Sequence, residues 1–312
     1  MRSPLCSMKV CVVPFGCQMN RADAFAISEM MDHAGHSIVA DEDSADAVVY
    51  VTCTVRQHAE NRAMSRLGRH AQRKRDGKRV VIALAGCVAE KEGAKALERI
   101  PELDIVCGTR KFHLLPELIS QSMMNGRKIV QTGLDEPAGT ESGLYWRSSN
   151  FQAFVTIMRG CDNFCSYCIV PYTRGREYSR KPNDIIEDVR KLAQLGVKEV
   201  TFLGQNVNSY GKGLDQPQTL ADLLAMAHQV PGIERIKFIT SHPKDLSRSL
   251  AEALNLPKVC SYLHLPAQSG STRILEKMNR GYTRESTSRT WKWCETRFEN
   301  GYRVRFHCRI PL

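Results

Sequence analysis

RGCDNFCSYCIVPYTRG, residues 159–175, places Cys161, Cys165 and Cys168 within eight residues, with three residues between the first pair and two between the second. Three thiolates that close can wrap one face of an iron–sulfur cube. No fourth cysteine follows at ligand spacing, so one iron is left open to a non-protein ligand. A zinc knuckle is the alternative, but such sites want four ligands, usually a paired Cys-x2-Cys with His or Cys partners further on. Ligand count favours the cube.

The spacing Cys-x3-Cys-x2-Cys, with the aromatic Tyr167 just before the last cysteine, resembles the signature of radical S-adenosylmethionine (SAM) enzymes. The continuations IVPYTRGREYSR from Ile169 and FLGQNVNSYG from Phe202 resemble, more narrowly, the methylthiotransferase family. The likeness runs from about Lys9 to about Arg284.

The chain's 312 residues, 42% of them hydrophobic, suffice for two packed domains. It has no apolar run of membrane-spanning length, and its start, MRSPLCSMKVCVV, lacks the apolar core and cleavage site of a signal peptide, so a cytoplasmic location off the membrane is expected. Twelve cysteines in a chain this long fit metal work in a reducing compartment better than a disulfide scaffold. A net charge of +11 suits a polyanion such as nucleic acid, or simply a soluble surface.

In the first domain, read as residues 8–126, the apolar runs KVCVV, AVVYV, VVIALA and DIVCG look like buried parallel strands. Helical patterns follow them at 22–34, 55–75, 89–99 and 111–124. Short connections then predict an open, doubly wound α/β sheet. Cys17, Cys53 and Cys87 each follow one of these strands, and in such a sheet the loops beyond the carboxyl ends share an edge. Three thiolates there can hold a second cube; singly, each reads more readily as a small buried core residue than as a ligand. The resemblance implies ligation, because the family carries an auxiliary 4Fe-4S cluster on three such cysteines. Cys11 reads as strand core, whereas Cys6, Cys107, Cys260, Cys294 and Cys308 match no motif.

Nine Lys or Arg lie between Arg56 and Arg79, and Arg62, Arg66, Arg69 and Arg73 form a stripe at helical spacing. The stripe suits RNA phosphates or is a solvated helix face. Beyond the cluster loop, Arg174, Arg176 and Arg180 surround Glu177 and suit SAM, RNA phosphates or an internal ion-pair network with Glu177 and Asp184.

Residues 127–146 read as a linker, and strand–helix repeats resume over 147–285: AFVTIM, EVTFLG, IKFIT and SYLHLP, with helices at 184–195, 221–229, 246–254 and 272–278. Such repeats build a parallel barrel, here a partial one, with its chemistry at the carboxyl ends of the strands. Gly204, Gln205 and Asn206, then Ser241 and His242, then Gln268 and Ser269, all fall at such ends. Capping or loop hydrogen bonding explains Asn206, Ser269, His242 and Gln268 taken one at a time. The resemblance implies SAM contacts from Tyr167, Gly204, Gln205, Asn206, Ser241 and Gln268.

It also implies two 4Fe-4S clusters, on Cys161, Cys165 and Cys168 and on Cys17, Cys53 and Cys87, and a radical replacement of the C2 hydrogen of adenine by a methylthio group. FGCQMN and LGQNVNSY favour the branch that acts on N6-dimethylallyladenosine-37 of tRNA over sisters that act on threonylcarbamoyladenosine or a ribosomal protein. An electron donor such as flavodoxin or ferredoxin is implied, and a monomer is expected. After Glu285 the sequence departs from the family pattern. Residues 286–312 read as an aberrant tail in place of two further barrel strands and a basic RNA-binding barrel, leaving the fourth strand's edge bare. From that reading, an inactive fragment or a non-enzymatic iron–sulfur RNA-binding protein is the competing expectation.

Overall fold

The structure, a computed structural model, describes residues 7–55, 57–135, 145–260, 262–297 and 303–305. Arg56, Cys6 and Cys308 lie outside these residues, as does the side chain of Cys294. The chain forms two compact units: one takes the residues up to Leu144 together with Tyr172–Arg174, the other the remainder.

In the first unit β1 (Lys9–Pro14), α1 (Gln18–His33), β2 (Ser37–Ile38), β3 (Ala47–Thr52), α2 (Gln57–Arg75), β4 (Val81–Gly86), α3 (Cys87–Glu92), α4 (Lys95–Arg99), β5 (Ile105–Cys107), α5 (Leu115–Asn125) and β6 (Ile129–Gln131) follow one another. The six strands form one parallel sheet in the order β2-β1-β3-β4-β5-β6. Every residue of β3 and β4 is buried. Their unbroken apolar runs follow from this position, because a parallel sheet is covered on both faces. Alternate side chains separate the two cores: Val49, Val51 and Ala83 pack with Ile27 of α1 and Ile119 of α5, and Val48, Tyr50 and Ile82 pack with Leu67 of α2 and Val88 of α3.

Two features depart from the sequence reading. The single helix expected over 89–99 breaks into α3 and α4 at Gly93, whose φ of +53° is the left-handed region that ends a helix. The edge strands β2 and β6, of two and three residues, carry too short an apolar run to register in sequence.

A buried polar knot closes the second core. The Tyr50 hydroxyl and His70 Nε2 both donate to Glu42 Oε2, at 2.7 and 3.0 Å, and Arg66 pairs with Glu42 at 2.6 Å. Burial opposes the Glu42 charge, but these donors hold its carboxyl below the usual range, and burial holds His70 below its ordinary value.

The second unit contains β7 (Tyr145–Arg147), β8 (Gln152–Thr156), β9 (Met158–Arg159), the start of α6 (Val170–Arg174, whose last three residues belong to the first unit), β10 (Tyr178–Ser179), α7 (Pro182–Gln194), β11 (Glu199–Leu203), α8 (Leu220–His228), β12 (Arg235–Phe238), α9 (Arg248–Ala253), β13 (Tyr262–His264), α10 (Thr272–Lys277), α11 (Arg284–Arg297) and β14 (Arg303–Arg305). β8, β11 and β12 pair in parallel, and an isolated parallel bridge from Ile236 to Val259 leads on toward β13. β7 pairs antiparallel with β8 on the far edge, where Trp146 stacks on Phe154 at 4.9 Å. This is a partial α/β barrel. Apolar faces of α7 and α8, Ile185, Val189, Leu192, Leu220, Leu223 and Leu224 among them, pack on Val155, Val200 and Phe202.

The tail differs from expectation. α11 supplies the crossover that a parallel strand pair needs, and β14 pairs in parallel with β13, so the edge of the fourth barrel strand is not bare. The stretch read as a linker, 127–146, contains strand β6 (Ile129–Gln131) and the start of strand β7 (Tyr145–Arg147).

Protonation works against the Glu42 knot in one direction. A carboxyl and an imidazole both held below their ordinary values of 4.5 and 6.5 contribute stability that is present above the unfolded values and is lost as the pH falls through the folded ones. Urea unfolding between pH 8 and pH 4 is expected to show stability falling as the pH drops below about 6.5. His70→Gln, which keeps a donor beside Glu42 but cannot take up a proton, is expected to flatten the limb just below pH 6.5; an unchanged limb contradicts the assignment.

Candidate cluster and cofactor sites

The first cysteine trio lies on three neighbouring strands. Cys17 is at the N-cap of α1 just beyond β1, Cys53 directly follows β3, and Cys87 opens α3 directly after β4. Parallel pairing sends these three loops out at one edge. Strand order also reverses between β1 and β3, the place where an open α/β sheet gathers its ligand. The turn is crowded: Gly16 has φ +139°, and a Cβ on it would stand 2.3 Å from the Cys53 Cβ.

Asn20, fully buried, accepts from the Cys17 thiol at 3.2 Å and donates to the Thr52 carbonyl at 2.8 Å, tying the first loop to the end of β3. Cys17 is drawn down to about 6, chiefly by a hydrogen bond from Cys53, with the Arg174 charge assisting and burial opposing. Giving that hydrogen bond, and burial, push Cys53 up. A thiol drawn down in this way gives up its proton readily, which suits the chemistry of a sulfur-ligated cation.

Arg174 belongs to the same unit. It is buried, donates Nε–H to Cys87 Sγ at 3.1 Å and pairs with the buried Asp23 at 2.7 Å. Burial works against its charge, but Asp23 and Cys87 outweigh it and raise the guanidinium above its ordinary value. The expectation that Arg174 meets RNA phosphate is therefore corrected: the side chain is sealed against Asp23 and Cys87. Sequence reasoning missed this because Asp23 lies 151 positions upstream.

The arginine stripe on α2 is largely neutralised at home. Arg66 pairs with Glu42, and Arg69 and Arg73 with Asp43 at 2.9 and 2.7 Å, all within the first unit. Of the arginines after the cysteine loop, Arg176, exposed, pairs with Asp162, and Arg180, buried, pairs with Asp188.

The second trio lies wholly in the second unit. The chain leaves β9 through Gly160, at φ +76°, where a Cβ would lie 2.1 Å from the Arg176 carbonyl oxygen. Cys161 and Cys165 are buried and Cys168 is half-buried. The loop is fastened from behind: Ser166 N–H donates to the Met278 carbonyl at 3.1 Å, and Asn279 Nδ2 to the Phe164 carbonyl at 2.9 Å. Burial pushes Cys161 up to about 11 and raises Cys168 as well. Among the described residues no three His, Cys, Asp or Glu side chains are grouped to hold a single metal ion; a cube spreads its three thiolates over separate corners.

A cavity of about 190 Å³ opens over this trio. It is lined by the three cysteines, by Tyr167, Gln205, Asn206, Ser241 and His242, and by Thr240, His264 and Arg280, which sequence reasoning did not single out. Gln205 Oε1 accepts from Gly160 N–H at 2.6 Å, joining the loop after β11 to the cluster loop. The Asn206 Oδ1, Ser241 Oγ and His242 Nε2 atoms are buried with no hydrogen-bond partner among the described residues, as expected of groups that a polar ligand satisfies. His242 Nδ1 accepts from Lys244 N–H at 3.2 Å, so the helix-cap reading and the site reading both apply, and Nε2 carries the hydrogen. Burial, followed by the Arg280 and Lys244 charges, holds the ring down to about 3, hence neutral. Gly204 and Gln268 do not line the cavity; the Gly204 carbonyl accepts from Thr240 Oγ1 at 2.5 Å.

Residues 9–108 match the model of the Uncharacterized protein family UPF0004, and residues 155–305 that of the Radical SAM superfamily. Curated proteins called tRNA-2-methylthio-N(6)-dimethylallyladenosine synthase are similar to the chain. The one from Syntrophus aciditrophicus is 47% identical over 86% of this chain and 59% of its own length, and the one from Geobacter metallireducens is 46% identical over 87% and 62%. The chain thus spans about 60% of the length of these relatives. Among solved structures, the cobalamin-dependent S-adenosylmethionine radical enzyme OxsB (12% identity) and the radical S-adenosylmethionine methyltransferase TsrM from Kitasatospora setae (14%) each share the fold at a TM-score of 0.65, over 97% of this chain and 49% and 67% of theirs.

Crowding at Gly16 gives a direct test of the first trio's geometry. Gly16→Ala is expected to destabilise the iron-free chain by about 1–3 kcal/mol in chemical denaturation, from overpacking and backbone strain together. Gly35→Ala, at φ +89° with no atom within 4 Å of the added Cβ, carries the strain alone and is expected to cost less. Equal losses contradict the close approach to Cys53.

Proposed function

We propose that the chain is a methylthiotransferase of the radical SAM kind that converts N6-dimethylallyladenosine-37 of tRNA to its 2-methylthio derivative, a reading supported by the match to the Radical SAM superfamily and by the likeness to the curated synthases. The observation that carries the reading is the pair of cysteine trios, each gathered at the carboxyl edge of a parallel sheet, one of them under a cavity lined with unsatisfied polar groups.

Cys161, Cys165 and Cys168 would hold one 4Fe-4S cluster, and Cys17, Cys53 and Cys87 a second, each with one iron free of protein ligands. When bound, the first cluster and SAM would supply radical chemistry on one-electron reduction, and the second cluster would supply a place to carry sulfur. The residues around the cavity do the rest. Asn206 Oδ1 offers an acceptor to the amino group of SAM, while Ser241 Oγ and His242 Nε2–H offer donors to its carboxylate or ribose oxygens. Because His242 stays neutral, it donates without adding charge beside Arg280. Tyr167, half-exposed at the rim, presents a ring on which adenine can stack. An anticodon-loop base is reachable without opening a duplex, which suits a pocket for splayed nucleotides. A donor of the flavodoxin or ferredoxin class would provide the electron.

Anaerobic reconstitution is expected to yield about eight irons per chain, and about four when Cys17, Cys53 and Cys87 are replaced by alanine. In a strain whose only such gene encodes this chain, mass spectrometry of tRNA nucleosides is expected to find the methylthio nucleoside. Persistence of the prenylated precursor alone, from an iron-loaded chain that cleaves SAM, contradicts the proposed substrate.

A further inference from the structure

We infer that Arg280 is the built-in counter-charge of the SAM-binding cluster, a positioning residue that makes that cluster easier to reduce. The inference rests on the reading of Cys161, Cys165 and Cys168 as cluster ligands.

Arg280 follows α10 and is 5% exposed. Its Nη1 donates to Cys165 Sγ at 3.3 Å and to the Tyr167 hydroxyl at 3.1 Å, its Nε to the Tyr282 hydroxyl at 3.0 Å, and its Nη2 to the Pro266 carbonyl at 3.2 Å. The guanidinium also lies 5.3 Å from the centre of the Tyr282 ring. Every oxygen in this set is neutral, and no carboxylate forms an ion pair with Arg280 among the described residues. Two further buried arginines are different: Arg174 has Asp23 and Arg180 has Asp188.

A buried guanidinium without a counter-ion costs several kcal/mol, and the protein retains one here only if some partner supplies negative charge. Of the atoms to which it donates, the Cys165 sulfur alone gains negative charge on binding a cluster. Three thiolates bound to a cube provide the missing charge, and the hydrogen bond from Nη1 is aimed at one of them. Taking up one electron makes the cluster more negative by one unit. A fixed cation against a ligand sulfur, shielded from water, stabilises that reduced state, because charge and hydrogen bonds at the sulfurs set the potential of such clusters. The same contact, shared with the Tyr167 hydroxyl, fixes the aromatic side chain at the cavity rim.

The test uses the full chain with Cys17, Cys53 and Cys87 replaced by alanine, so that one cluster is observed, reconstituted with iron and sulfide and titrated with dithionite under electron paramagnetic resonance. Arg280→Met, neutral and of similar length, is expected to lower the reduced-to-oxidised ratio at a fixed poise at least tenfold, a shift of about 59 mV for a one-electron couple. Arg280→Lys is expected to restore most of it. A folded Arg280→Met chain that loses its iron while Arg280→Lys keeps it also supports the inference. An iron-loaded Arg280→Met chain with an unshifted midpoint overturns it, as does loss of fold by circular dichroism in both variants, which makes the role one of packing alone. If the parent chain takes up no iron, the cluster reading itself fails.

Discussion

Parallel pairing of neighbouring strands forces consecutive loops to leave a sheet at the same edge, and in this chain that constraint brings together residues that sequence keeps far apart. In the first unit it collects Cys17, Cys53 and Cys87 at the ends of β1, β3 and β4. In the second it ranges Gln205, Asn206, Ser241 and His242 around a loop that already carries three cysteines. Chemistry at both places depends on strands that are buried on both faces and therefore fixed by packing rather than by their loops.

Burial then sets the electrostatics. Thiols taken out of water resist ionisation, as Cys161 and Cys168 do, unless a donor or a cation stands beside them. Cys17 has such help from Cys53 and Arg174. Each trio also has a buried arginine against one sulfur, Arg174 on Cys87 and Arg280 on Cys165, and the two differ in how their charge is balanced. Asp23 neutralises the first; among the described residues the second has no carboxylate partner.

How much of this was legible in sequence follows from the range of each interaction. The cluster loop reads directly, because its three cysteines are close in the chain, and apolar runs such as AVVYV announce buried strands. Capping at His242 is local, and that reading holds alongside its place in the cavity. What sequence conceals is pairing across long separations. Arg69 and Arg73 look like a free basic stripe until Asp43 is brought alongside them, and Arg174 looks like a surface arginine until Asp23 is. Likewise the tail after Glu285 shows only weak helical periodicity, and its strand is defined by its partner β13.

The account stands on three protein ligands, and only three, for each iron cube. Mössbauer spectroscopy of the chain reconstituted with isotopically enriched iron, before and after SAM is added, tests this most directly. The account predicts that SAM changes the signal of one iron in four of the cluster on Cys161, Cys165 and Cys168 and leaves the other cluster unaltered. Irons that are indifferent to SAM in both clusters, or a single mononuclear signal, would contradict it.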